Sequence, residues 1–173
     1  MKRSRVIIIC LIFSSCWEGK IPVMFQVEKI SPDHYDFKDN YFKVILSTKT
    51  DLVKLEKQEK GANTYLFCPM TFDKPNAESL KKDPIQIHGS FLLDRENAEK
   101  YQKGSKYYYE ATSSIKAKEN TENIDLKEIL NKDCIRCKVV IAYFPFTSSK
   151  KGSFSEAFCL SGREVLAAIK EEE

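Results

Sequence analysis

Short runs of β-branched and aromatic residues, broken by polar turns, dominate the chain from about residue 63 onward. "NTYLFCPMTF" (63–72), "IQIHGSFLL" (85–93), "KYYYEATSS" (106–114) and "KVVIAYF" (138–144) each have strand composition, the second with clean alternation of apolar and polar positions. "SFSEAFCL" (153–160) follows the last of these across the polar stretch "TSSKKG", a connection too short for a parallel crossover, so the pair is predicted to be antiparallel. Helical patterns are short. "KPNAESLKK" (74–82) has Asp73 as a candidate cap and Pro75 in its first turn, "IDLKEIL" (124–130) has its apolar residues on one side, and "SGREVLAAIK" (161–170) offers Ser161 as a cap. "DRENAEKYQKG" reads as a short helix or turn, and "IKAKENTEN" as a solvent loop. Upstream, "IPVMFQVEKI" has strand character. "YFKVILSTKTDLVKLEKQEKG" passes from strand-like to helix-like and ends at Gly61.

The first residues form a different pattern. Lys2, Arg3 and Arg5 precede eight consecutive apolar residues, Val6 to Phe13, and then small residues at Ser14, Ser15 and Cys16. A basic segment, a short apolar core and a small-residue zone make a secretory signal, with cleavage after Cys16 or Gly19. Eight apolar residues are too few to span a bilayer, which takes about 20. A lipid anchor on Cys16 is the alternative, although Phe13-Ser14-Ser15 fits that pattern poorly. The signal also changes the charge. The chain has 28 Lys+Arg and 25 Asp+Glu, and three of the cations lie in residues 1–16, so the remainder is balanced at 25 of each. Strong nucleic-acid binding through a general basic excess is thereby excluded.

Of six cysteines, Cys10 and Cys16 lie in the signal. Cys68, Cys134, Cys137 and Cys159 remain, an even set that in a secreted chain predicts two disulfides with three possible connectivities. Joining Cys68 to Cys159 would tie the first strand of the compact region to its last, and the loop-entropy model favours such a long closure by about 4–5 kcal/mol. Cys134 and Cys137 then form a local second bridge or a free pair. The C-x-x-C motif "CIRC" follows a helical pattern and opens a strand, the reverse of the thioredoxin context, so a redox role is disfavoured. One such pair with no nearby histidine is also too little for zinc. No metal or cofactor is expected.

Only His34 and His88 are present. Alternation puts His88 with Gln86 on the face opposite Ile85 and Ile87. Glu110 follows Tyr107, Tyr108 and Tyr109 on a strand, where a solvated carboxylate is the ordinary outcome. The three tyrosines either offer a stacking face for a base or divide between core and surface.

The order of "YLFC", a short helix, "IHGSF", "YYYEAT", "KVVIAYF" and "GSFSEAFCLSG" resembles the small microbial guanyl-specific ribonucleases. It resembles more closely the ribonuclease-like secreted effector candidates of powdery mildew fungi. The resemblance covers about residues 62–162 and rests on short motifs. It implies that His88 stands for the histidine of the first catalytic strand, Glu110 after Tyr109 for the general base, and Lys138 for a phosphate-binding arginine. The general-acid histidine has no counterpart, since Phe158-Cys159-Leu160 occupies its place and no histidine follows His88. Loss of one acid–base partner costs about 10²–10⁴-fold in rate, and Lys for Arg removes the bidentate fork.

The expected architecture is therefore α+β, an antiparallel sheet with one or two short helices packed on it, ribonuclease-like. Residues 1–19 are the signal, 20–61 an N-terminal extension and 62–173 the domain. The expected function is that of a secreted, monomeric, non-catalytic virulence effector that binds a host protein or, weakly, RNA, with His88, Tyr109, Glu110 and Lys138 as a degenerate groove. An active secreted ribonuclease, a lipid-anchored surface protein and a thiol oxidoreductase are the rival readings.

Overall fold

A computed structural model describes residues 19–33, 41–59, 62–118, 125–142 and 152–170. Residues 1–18 of the signal, His34 and the "TSSKKG" turn up to residue 151 lie outside the described residues. The described strands are β1 (Gly19–Lys20), β2 (Gln26–Pro32), β3 (Tyr41–Thr48), β4 (Asn63–Pro69), β5 (Ile85–Phe91), β6 (Gln102–Lys103), β7 (Lys106–Ala117), β8 (Ile135–Ala142), β9 (Ser153–Phe154) and β10 (Phe158–Leu160). The helices are α1 (Leu52–Gln58), α2 (Ala77–Lys82), α3 (Leu126–Leu130) and α4 (Gly162–Lys170), with a 3₁₀ turn at Ala98–Tyr101.

These strands form one mixed sheet in the order β1-β9-β8-β4-β5-β7-β3-β2, with β10 on β8 and β6 on β7. Every pairing is antiparallel except β1 with β9. The α+β class expected from the pattern is corrected: the described residues are 46% strand and 24% helix, a β-rich fold on a ten-stranded sheet with four short helices. Much of the surplus strand lies in the segment set apart as an extension. There β3 pairs with β7 along all eight of its residues and β2 forms the next rung, so residues 26–32 and 41–48 build one side of the sheet.

The sheet is strongly curled. From Lys20 in β1 to Gln26 in β2 the chain can reach about 20 Å, whereas eight flat strands would be about 33 Å across. The two edges must therefore approach. The Glu156 N–H donates to the Val23 carbonyl at 3.1 Å, the Phe25 and Phe158 rings lie 5.9 Å apart, and β10 lies against β2. The inner face carries Phe42, Val44, Leu46, Leu66, Ile87 and Val139, with Val165 and Ala168 of α4 packed on them. On the outer face a smaller cluster of Phe67, Val140, Ala142 and Phe154 is covered by Ala77 and Leu80 of α2.

Side-chain caps set the helix starts. Asp51 accepts from the Lys54 N–H, Asn76 and Ser79 form a capping box, and Asp125 accepts from the Lys127 N–H. Asn76, not Asp73, is therefore the cap of α2. Ser161 does accept from the Glu164 N–H, at 3.3 Å. Gly162 opens α4 against α3 so tightly that a Cβ would sit 2.2 Å from the Leu130 carbonyl oxygen.

All four described cysteines are bridged, but as Cys68–Cys137 and Cys134–Cys159 rather than Cys68–Cys159 with Cys134–Cys137. Strand geometry explains the difference. Residues three apart in extended chain point to opposite faces about 10 Å from one another, beyond disulfide reach, so Cys134 cannot meet Cys137. Cys68 and Cys137 face each other across β4 and β8 on the inner side, fully buried, with Cα atoms 4.2 Å apart. Cys159 pairs in register with Arg136, on the side away from Cys137, and bridges to Cys134 at the exposed surface.

Closure of the longer loop by Cys68–Cys137 is worth about 4 kcal/mol and that by Cys134–Cys159 about 3.5 kcal/mol in the chain-entropy model, and only the former also fills core volume. Urea unfolding should find Cys68→Ala/Cys137→Ala the more destabilised double variant by at least about 1 kcal/mol. Equal loss, or the reverse order, would contradict the burial pattern.

Candidate functional site

Strand parity puts His88, Glu110 and Lys138 on the same, outer face of the sheet. His88 lies opposite Phe67 on one side and Ser114 on the other, and Phe67 in turn lies opposite Lys138. The three do not converge. Glu110 is four residues along β7 from Ser114, about 13 Å at strand rise. Lys138 is two strands from His88, about 10 Å away, and its ammonium sits over the Phe154 ring at 5.7 Å, on the far side of β8.

Each group is occupied locally. The His88 ring packs against Tyr65 with centroids 5.3 Å apart. Burial, helped by the Lys116 charge, lowers its pKa to about 4, so the imidazole is neutral at pH 7. Glu110 pairs with Lys43 at 3.1 Å, and Lys43 also lies 3.7 Å from the buried Asp33 carboxylate. The Glu110 hydrogen bond and charge raise the Lys43 pKa. Proton transfer needs an acid or base within about 3 Å of the reacting atom, or one water away. No two of the three residues can serve one such centre.

Tyr109 belongs to the other face. It is 1% exposed, and its hydroxyl accepts the Leu52 N–H at 2.9 Å, fixing the start of α1. Burial pushes its phenol well above the ordinary range. Tyr107 lies near-parallel to it on the same inner face, 6.2 Å away, whereas Tyr108 points outward beneath Lys103. The tyrosines thus divide by parity and form no common stacking platform, and Tyr109 drops out of the expected groove.

Two buried carboxylates stood out in no sequence pattern. Glu56 on α1, 4% exposed, is held by Arg95 at 2.7 Å and by Thr64 Oγ1 at 2.7 Å. Asp83, fully buried, accepts from the Thr71, Phe72 and Ile85 N–H groups and from Thr71 Oγ1. With all four described cysteines in disulfides, "CIRC" presents no thiolate for exchange or for a metal. No family model, curated protein or solved structure matches the chain.

His88 makes the fold sensitive to acid. Its folded pKa, about 4, lies below the unfolded value of 6.5, so the unfolded chain takes up the proton first. Stability is then complete above about pH 6.5 and falls as pH drops to about 4, by on the order of 2–3 kcal/mol. Urea unfolding at pH 7 and pH 4.5 should show this loss in the wild type and a clearly smaller one in His88→Gln; an identical slope in both would show that His88 is not the group responsible.

Proposed function

We propose that the chain is a secreted binding protein that works without catalysis, an effector that docks as a monomer on a host protein. The observation that carries this reading is the dispersal of His88, Glu110 and Lys138 over about 10–13 Å of one sheet face, each engaged by a neighbour rather than aimed at a common centre. Ribonuclease chemistry needs a base for the 2′-hydroxyl and an acid for the leaving oxygen. A neutral, half-buried His88 and a distant Glu110 tied to Lys43 offer no such pair in a shared site.

Export is supported by the pattern of residues 1–19 and by two cystines, which persist in oxidising compartments. Among the described residues no helix is long and apolar enough to cross a membrane. The likeness of short motifs to secreted effector candidates motivates the host as the source of the partner. RNA is at most a weak ligand, because a charge-balanced chain releases few counterions on binding a phosphate backbone.

The oxidised protein, incubated with end-labelled RNA, should cleave no more than a no-protein control, and His88→Ala and Glu110→Gln should behave identically. Cleavage by the wild type that disappears in either variant would overturn the non-catalytic reading.

A further inference from the structure

Where β4 ends and β8 begins, a cleft of about 480 Å³ opens beside the exposed disulfide. Pro69, Met70 and Ile135 line its base and are themselves largely buried. Its walls bear three cations, Lys74, Lys132 and Arg136, against the single carboxylate of Asp73. In a chain whose charges otherwise balance, that is a local positive field, and a concave site of this size suits a small charged ligand. Phe72, 38% exposed, adds an aromatic ring to the lining.

The walls are held in place before any ligand arrives. Buried Asp83 draws in the Thr71 N–H at 3.0 Å and the Phe72 N–H at 3.1 Å, which fixes the segment carrying the aromatic ring. Lys132 Nζ donates to the Met70 carbonyl at 3.0 Å, joining the two sides of the cleft and leaving other N–H bonds on that ammonium for an anion. The Cys134–Cys159 bridge anchors the chain next to Arg136. Three independent ties on three walls keep the ordering cost of binding low.

From this we infer that the cleft is a binding site for a small phosphorylated ligand carrying an aromatic ring, of the nucleoside diphosphate class. Arg136, Lys74 and Lys132 take the phosphates, and the ring lies against Phe72. The site is separate from the outer-face residues His88 and Glu110, and binding requires no bond to be made or broken.

Isothermal titration of the oxidised mature protein with ADP, inorganic pyrophosphate and adenosine tests it. ADP should bind with one-to-one stoichiometry, more tightly than pyrophosphate or adenosine. Arg136→Ala and Lys74→Ala should each weaken ADP about tenfold, the loss of one charge-assisted hydrogen bond. Phe72→Ala should weaken ADP about tenfold and leave pyrophosphate unchanged. All three side chains are exposed, so folding should survive, and Lys116→Ala on the outer face serves as a control with unchanged affinity. No saturable binding of ADP, or ADP affinity unaltered by both cation variants, would overturn the site. Pyrophosphate binding as tightly as ADP, with Phe72→Ala silent, would overturn the ligand class.

Discussion

β8 meets β4 at the centre of the sheet, and the two cysteines that lock them lie 69 residues apart in the chain. Everything on one side of that seam, β5, β7, β3 and β2, could pair without it, and so could the shorter group of β9, β10 and β1 on the other. Only the seam makes a single surface of the two. Leu66 opposite Val139 and Cys68 beside Cys137 put apolar weight and a covalent bond at the same rungs, so a one-residue slip would turn a whole row of core side chains to the outside. The curl follows from the same pairing. With β9 carried beside β8, the five residues between β1 and β2 draw the far edges together, and α4 fills the concavity that results.

The curled sheet gives its two faces different roles. The inner one is committed to packing, including Tyr109, whose hydroxyl anchors α1 instead of facing solvent. Among the described residues the outer one is covered by α2 over β4, β8 and β9 and displays a mixed polar row elsewhere. His88, Glu110 and Lys138 sit there at strand spacings, which spread side chains evenly and do not gather them. A gathered site forms where the chain leaves the sheet, at the junction of β4 and β8, because loops bound by Asp83 and Cys134–Cys159 can fold toward one another.

Local pattern carried the strands β4, β5, β7 and β8, the helix α4 with its Ser161 cap, and the parity of His88 against Ile85 and Ile87. These depend on period and composition within a few residues. The pattern did not carry partner choice. Residues 41–48 read as strand, yet nothing in them says that β7 is the neighbour. The disulfides show both sides. Strand parity already forbade Cys134–Cys137, a signal present in "CIRC" and outweighed by loop length, whereas the match of Cys68 to Cys137 depends on a register that no local run encodes. Glu56 and Asp83 were illegible for a similar reason: each is satisfied by groups brought in by folding, Arg95 for one and Thr71 for the other.

β4 and β8 are joined through Cys68 and Cys137, with Cys134 and Cys159 bridging the surface. Non-reducing peptide mapping of the native protein by mass spectrometry tests it most directly. The account predicts peptides cross-linked as Cys68–Cys137 and Cys134–Cys159. Recovery of Cys68–Cys159 together with Cys134–Cys137 would contradict it, because the central register, the curl and the cleft could not then stand as described.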